Sequence, residues 1–237
     1  MKTIKWLAIG TVVCLLVNFK AAADTLYNNS ANNTGYRLTM SNGQQVGTEI
    51  LLGTAPNSEY LTNFSFNFYS SGTYADVTLE VLLQLNNGTP AFNGYDTPGT
   101  VIYDSGAFQI SSQNGDGGLD FNYNDLTVGD TVPLNQFTTI ANDFTLSFVV
   151  EGLAEGDTFA LDLYDPATVG SNYGDYWLNT GTVGSPNWEL LTNSMSGPIG
   201  VASVFQGSLT PAPEPAALSL SILGGAGLLL AIRRRRQ

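Results

Sequence analysis

The stretch Phe64-Ser65-Phe66-Asn67-Phe68 decides the fold class. Aromatic and small polar residues alternate strictly, so in an extended chain the three phenylalanines share one face. The same period of two returns over residues 76 to 84. There Val77, Leu79, Val81 and Leu83 oppose Asp76, Thr78, Glu80 and Gln84. It returns again in Phe144-Thr145-Leu146-Ser147-Phe148 and in Phe159-Ala160-Leu161-Asp162-Leu163. Turn signals separate these runs: Asn42-Gly43, Asn87-Gly88, Asn93-Gly94, Asn114-Gly115 and Asp165-Pro166. No stretch before Pro211 keeps a helical period for three turns. Strands with one apolar face each need a second sheet to cover them. The pattern therefore predicts an all-β body, an antiparallel β-sandwich of jelly-roll type.

The body is bounded by two segments of different character. Lys2 and Lys5 precede an apolar run from Trp6 to Val17, and Ala21-Ala22-Ala23 supplies small residues for cleavage before Asp24. Residues 1–23 read as a secretory signal peptide, too short in its apolar run for a spanning anchor. Cys14 follows Val13 inside that run, which is not the setting of a lipid-modified cysteine. At the other end, a Pro/Ala-rich linker leads to Pro213-Glu214-Pro215. An uncharged stretch from Ala216 to Ile232 follows, and Arg233, Arg234, Arg235 and Arg236 come after it. The stretch predicts a transmembrane helix at the short end of spanning length. The arginines stop transfer and stay on the cytoplasmic side, which puts the body outside.

This order of Pro-Glu-Pro, apolar helix and arginine cluster resembles the PEP-CTERM sorting tail of Gram-negative bacteria that make exopolysaccharide. The resemblance implies that an exosortase, a membrane-embedded processing enzyme, recognises Pro213, Glu214 and Pro215 and cuts near them. It implies an inner-membrane-anchored precursor that is later released to the cell surface or extracellular matrix. Ala216 stands where the usual form has Ser or Thr. The division that follows is a signal peptide over 1–23, a β-sandwich over 24–210 and a sorting tail over 211–237. A softer likeness covers the body: Asn33-Thr34-Gly35-Tyr36, Gly47-Thr48-Glu49-Ile50, Phe64-Ser65-Phe66, Pro98-Gly99-Thr100-Val101-Ile102-Tyr103-Asp104-Ser105-Gly106 and Gly174-Asp175-Tyr176-Trp177. It is similar to domains that precede such tails, and it implies a β-rich body without implying an activity.

Composition narrows the function. Lys20 completes the three lysines, all in the signal segment, and Arg37 is the sole basic side chain between Asp24 and Thr210. Nineteen acidic residues in that range leave the body at about −18. Nucleic acid is excluded as a partner, because phosphate binding needs lysine or arginine. Histidine is absent and the one cysteine lies in the signal segment. The body therefore lacks the commonest general base, the commonest transition-metal ligand and any thiol.

Three constellations are worth weighing. Asn114-Gly115-Asp116-Gly117-Gly118-Leu119-Asp120, with Asn122, Asn124 and Asp125, carries the oxygens and glycines of a calcium loop. Its spacing matches neither the EF-hand nor the glycine-rich nonapeptide, and a solvated hairpin loop accounts for the same residues. Tyr173, Tyr176, Trp177 and Trp188 cluster as candidate sugar-stacking rings, although large aromatics in strands more often pack a core. Asp162 and Asp165 are too close along the chain to converge as a glycosidase dyad. The expected function is that of an exported structural protein of the surface or exopolysaccharide matrix. It has no catalytic residue, cofactor or metal, and its partners are the exosortase, the inner membrane and, in a rival reading, extracellular polysaccharide bound as by a carbohydrate-binding module.

Overall fold

The structure is a computed structural model, and it describes residues 24–53, 60–92, 95–122, 131–133, 142–182, 185–191 and 200–208. Among them there is no helix, and so none long and apolar enough to cross a membrane. The signal segment, the Pro-Glu-Pro motif, the expected spanning stretch and the arginine cluster lie outside the described residues. So do the Asn93-Gly94 turn signal, Asn124 and Asp125.

The strands are β1 (Asp24–Asn28), β2 (Asn33–Met40), β3 (Gln45–Leu51), β4 (Tyr60–Ser71), β5 (Thr78–Leu85), β6 (Gly88–Phe92), β7 (Tyr95–Thr97), β8 (Val101–Asp104), β9 (Phe108–Gln109), β10 (Gly115–Asn122), β11 (Thr131–Pro133), β12 (Asp143–Glu151), β13 (Thr158–Tyr164), β14 (Ser171–Asn179), β15 (Trp188–Leu191), β16 (Gly200–Val201) and β17 (Ser203–Ser208). Each run of alternating residues falls inside one of them. In β4, Phe64, Phe66 and Phe68 are buried while Ser65 and Asn67 stay half-exposed.

The strands form two antiparallel sheets and a small hairpin, β6–β7, with one parallel pair, β10–β11, at an edge. In the first sheet β4 is the central rail. One of its edges carries β10, register Asn122↔Asn63 to Gly115↔Ser70. Its other edge is shared: β17 pairs with Tyr60–Phe66 and β13 with Phe68–Ser71. The C-terminal strand crosses between these partners at Ala202. Its N–H donates to the Asp162 carbonyl at 2.9 Å, and its carbonyl accepts from Asn67 N at 2.9 Å. The second sheet runs β15-β14-β3-β12-β5-β8, with β9 also on β5. Taken across the middle of each sheet, the orders are β2-β13-β4-β10 and β3-β12-β5-β8.

The two sheets meet through their phenylalanines. Phe66 on β4 stands edge-on to Phe148 on β12, centroids 4.7 Å apart, and Phe144 on β12 meets Phe205 on β17 at 5.0 Å. Within the first sheet Phe64 stacks on Phe121 at 4.4 Å and on Phe205 at 5.3 Å. Burial of these rings is the main favourable term in a body without disulfides. The sandwich expected from the alternating runs is the arrangement found.

β1 starts at Asp24, where cleavage is expected, and lies antiparallel to β17 with Asp24 opposite Gly207. The beginning and end of the described body therefore emerge side by side. Leu26 and Tyr27 of β1 are fully buried, so this first strand is part of the core.

Candidate functional site

Three of the four rings weighed as a sugar platform are closed off. Tyr176, Trp177 and Trp188 are 7, 0 and 6% exposed, and Tyr173 is half-buried. They are also split between faces. Tyr176 pairs with Thr48, which pairs with the core residue Leu146, so Tyr176 points inward. Trp177 is next in the strand and points the other way, in the row of Gly47 and Ser147. Its indole N–H donates to Glu49 Oε2 at 3.4 Å. Trp188 lies across from Asn179 in β15. The aromatic platform is thus not formed, because adjacent strand residues cannot share a face.

The calcium-loop candidate is corrected too. Residues 115–122 form β10, not a hairpin loop, and pair with β4 along their whole length. Asp116 and Asp120, four residues apart in an extended strand, are separated by roughly 13 Å and cannot share one ion. Among the described residues no group of three or more Asp, Glu, His or Cys side chains could hold a metal ion. Asp162 and Asp165 do not converge either: Asp162 is engaged by Arg37, and Asp165 lies beyond the end of β13.

What the sequence did not single out is the arrangement around Arg37. This residue lies on β2 on the outer face of the first sheet. Its Nε donates to Asp162 Oδ1 on β13 at 2.9 Å, and its Nη2 donates to Asp116 Oδ1 on β10. Between them its guanidinium lies over the Tyr69 ring of β4, 4.1 Å from the centroid. One side chain thus ties four adjacent strands. Burial pushes the Asp162 carboxyl above its ordinary range, and Arg37 offsets only part of this. Both carboxylates hold Arg37 firmly protonated, Asp162 most of all. A signal for this site was in the composition: a lone cation among nineteen acids is the one position where strong pairing is assured.

The outer face of the second sheet carries a polar chain of its own. Asn179 donates to Gln45 Oε1 at 2.7 Å, Gln45 to Ser147 Oγ at 3.3 Å, and Ser147 to Gln84 Oε1 at 2.7 Å. Beside it Thr145 Oγ1 donates to Asn86 Oδ1 at 2.7 Å, and Asn86 in turn to Asp143. These groups satisfy one another across β14, β3, β12 and β5, as buried polar side chains must. Toward the other end of this face, Glu80 is held above the usual carboxylate range by burial, with Asp104 and Glu151 adding to it.

Comparisons with protein families, with curated proteins and with solved structures return no match.

Proposed function

We propose that the protein is an exported structural component of the cell surface or exopolysaccharide matrix, sorted through its C-terminal tail by an exosortase. The observation that carries this reading is the pairing of β1 with β17, which sets Asp24 beside Gly207. The two ends of the described body, one leading to the expected cleavage site after Ala23 and the other to Pro213-Glu214-Pro215, therefore lie side by side. A precursor held in the inner membrane by its tail would present the rest of the sandwich away from the bilayer. The strand orders β2-β13-β4-β10 and β3-β12-β5-β8 support a jelly-roll winding for the body, with β1, β14, β15 and β17 added around it. The role is one of assembly, with the acidic surface keeping copies soluble outside the cell.

The test is replacement of Pro213-Glu214-Pro215 by three alanines. The variant should accumulate at full length in the inner membrane, while the parent chain reaches the surface shortened. Surface delivery of the variant at the parental level and length would end the sorting reading.

A further inference from the structure

The two outer faces differ in one respect that matters for binding. On the second sheet the polar side chains are bonded to each other. On the first sheet Arg37, Asp162 and Asp116 bond to one another, but a stripe beside them does not. β4 directs Asn63, Ser65 and Asn67 outward, β10 adds Asp120 beside Ser65, and β17 adds Gln206 beside Asn63. Among the described residues none of these five side chains has a hydrogen-bond partner. Asp120 is exposed and the others are half-exposed. Gly118 keeps the stripe flat: a Cβ there would meet Asn67 Oδ1 at 3.1 Å, so the amide lies across a bare backbone.

We propose that this stripe on β10, β4 and β17 binds an uncharged polysaccharide chain laid along the sheet. The side chains are short amides, a hydroxyl and one carboxylate, with free donors and acceptors about 6.7 Å apart along a strand and about 4.8 Å apart between strands. Their few rotatable bonds keep the entropy cost of fixing them on a ligand small. Charge selects the occupant. Arg37, the one cation on this face, is neutralised by Asp116 and Asp162, so nothing here pairs with an anionic polymer, and the body's net charge repels one. A hydroxyl-rich, neutral chain satisfies the free groups without paying that repulsion. The inference rests on the export proposed above only in that the polymer is met outside the cell.

The purified full chain in mild detergent, which bypasses export, tests it. Retention is measured on insoluble cellulose, dextran and galactomannan, with alginate and chitosan in parallel. The expected result is retention on at least one uncharged polymer, unchanged by raised salt and weakened at least about tenfold in Asn67→Ala/Asp120→Ala. Ser65→Ala, a smaller change, should weaken it less, and the melting temperature of each variant reports whether the fold is intact. Retention on no uncharged polymer, retention only on alginate or chitosan, or equal retention of folded variants would each overturn the proposal. A failure of sorting in cells would leave this result untouched, so the two readings fail separately.

Discussion

Arg37 is where a single residue has the largest leverage. Its partner Asp162 has a side chain only 5% exposed, whereas Arg37 is 40% and Asp116 57% exposed. The Asp116 arm is a surface pair, worth about 0–1 kcal/mol. The Asp162 arm offsets the desolvation of a nearly buried carboxylate, and losing it leaves that charge alone. Arg37→Ala should therefore destabilise by about 3 kcal/mol, the low end for a broken buried pair because water reaches the arginine side. Asp116→Asn should cost under about 1 kcal/mol. The pH dependence has a definite sign. Asp162 already has a raised pKa in the fold, and without Arg37 it rises further. A raised carboxyl penalises the fold at neutral pH, and the penalty is relieved as the group takes up its proton. The gap between variant and parent in urea melts should thus be widest near neutrality and close as pH falls. A gap that widened on acidification would mean that Asp162 is not the group Arg37 serves.

At the scale of the strand, β4 shows how alternation divides labour. Phe66 is 1% exposed and stands against Phe148 of the opposite sheet, while its neighbour Asn67 faces outward. Phe66→Ala removes a ring from the seam between the sheets and should cost about 3–5 kcal/mol. Asn67→Ala loses no hydrogen bond within the described fold and should stay within about 0.5 kcal/mol. Thermal unfolding of the two variants side by side checks both figures. Comparable losses would show that the outward row is structural. β10 makes a related point. Its Gly115-Asp116-Gly117-Gly118 run looks like a loop by composition, yet it pairs residue for residue with β4. Strand propensity is weak against a ready partner edge, and long-range pairing overrides it.

For the molecule as a whole, the joining of the first and last strands is the organising fact. β17 lies between β1 and β4, so the first sheet is complete only when both ends of the body are present. Because Asp24 faces Gly207, a short flexible linker can connect them without strain. A circular permutant joined in this way and opened between Glu155 and Gly156, both exposed in the turn before β13, should fold with the parent's circular dichroism and cooperative melt. Failure of that permutant, with a second opened at Asn42-Gly43 also failing, would show that the two ends do not sit together.

Much of this was legible along the chain, and the reason is local. A side chain's inward or outward direction follows from a period of two, so Phe64, Phe66, Phe68, Phe144, Phe148, Phe159 and Leu161 could be assigned to a core before any partner was known. Charge is likewise additive, so the poverty in cations is a property of the sequence itself. The order of Pro213-Glu214-Pro215, apolar stretch and arginines is likewise linear, and the sorting read from it stays the proposal made above. What only the tertiary structure decided is which strands lie side by side. Arg37 meets Asp162 and Asp116 across 125 and 79 residues of chain, and Asp24 meets Gly207 across nearly the whole body. Trp177 and Tyr176 part company because a strand, once placed in a sheet, gives neighbours opposite faces. Asp116 and Asp120 stop looking like ion ligands once β10 is drawn straight by β4. Pairing between distant segments depends on the packing of two sheets together, and no short window of sequence contains it.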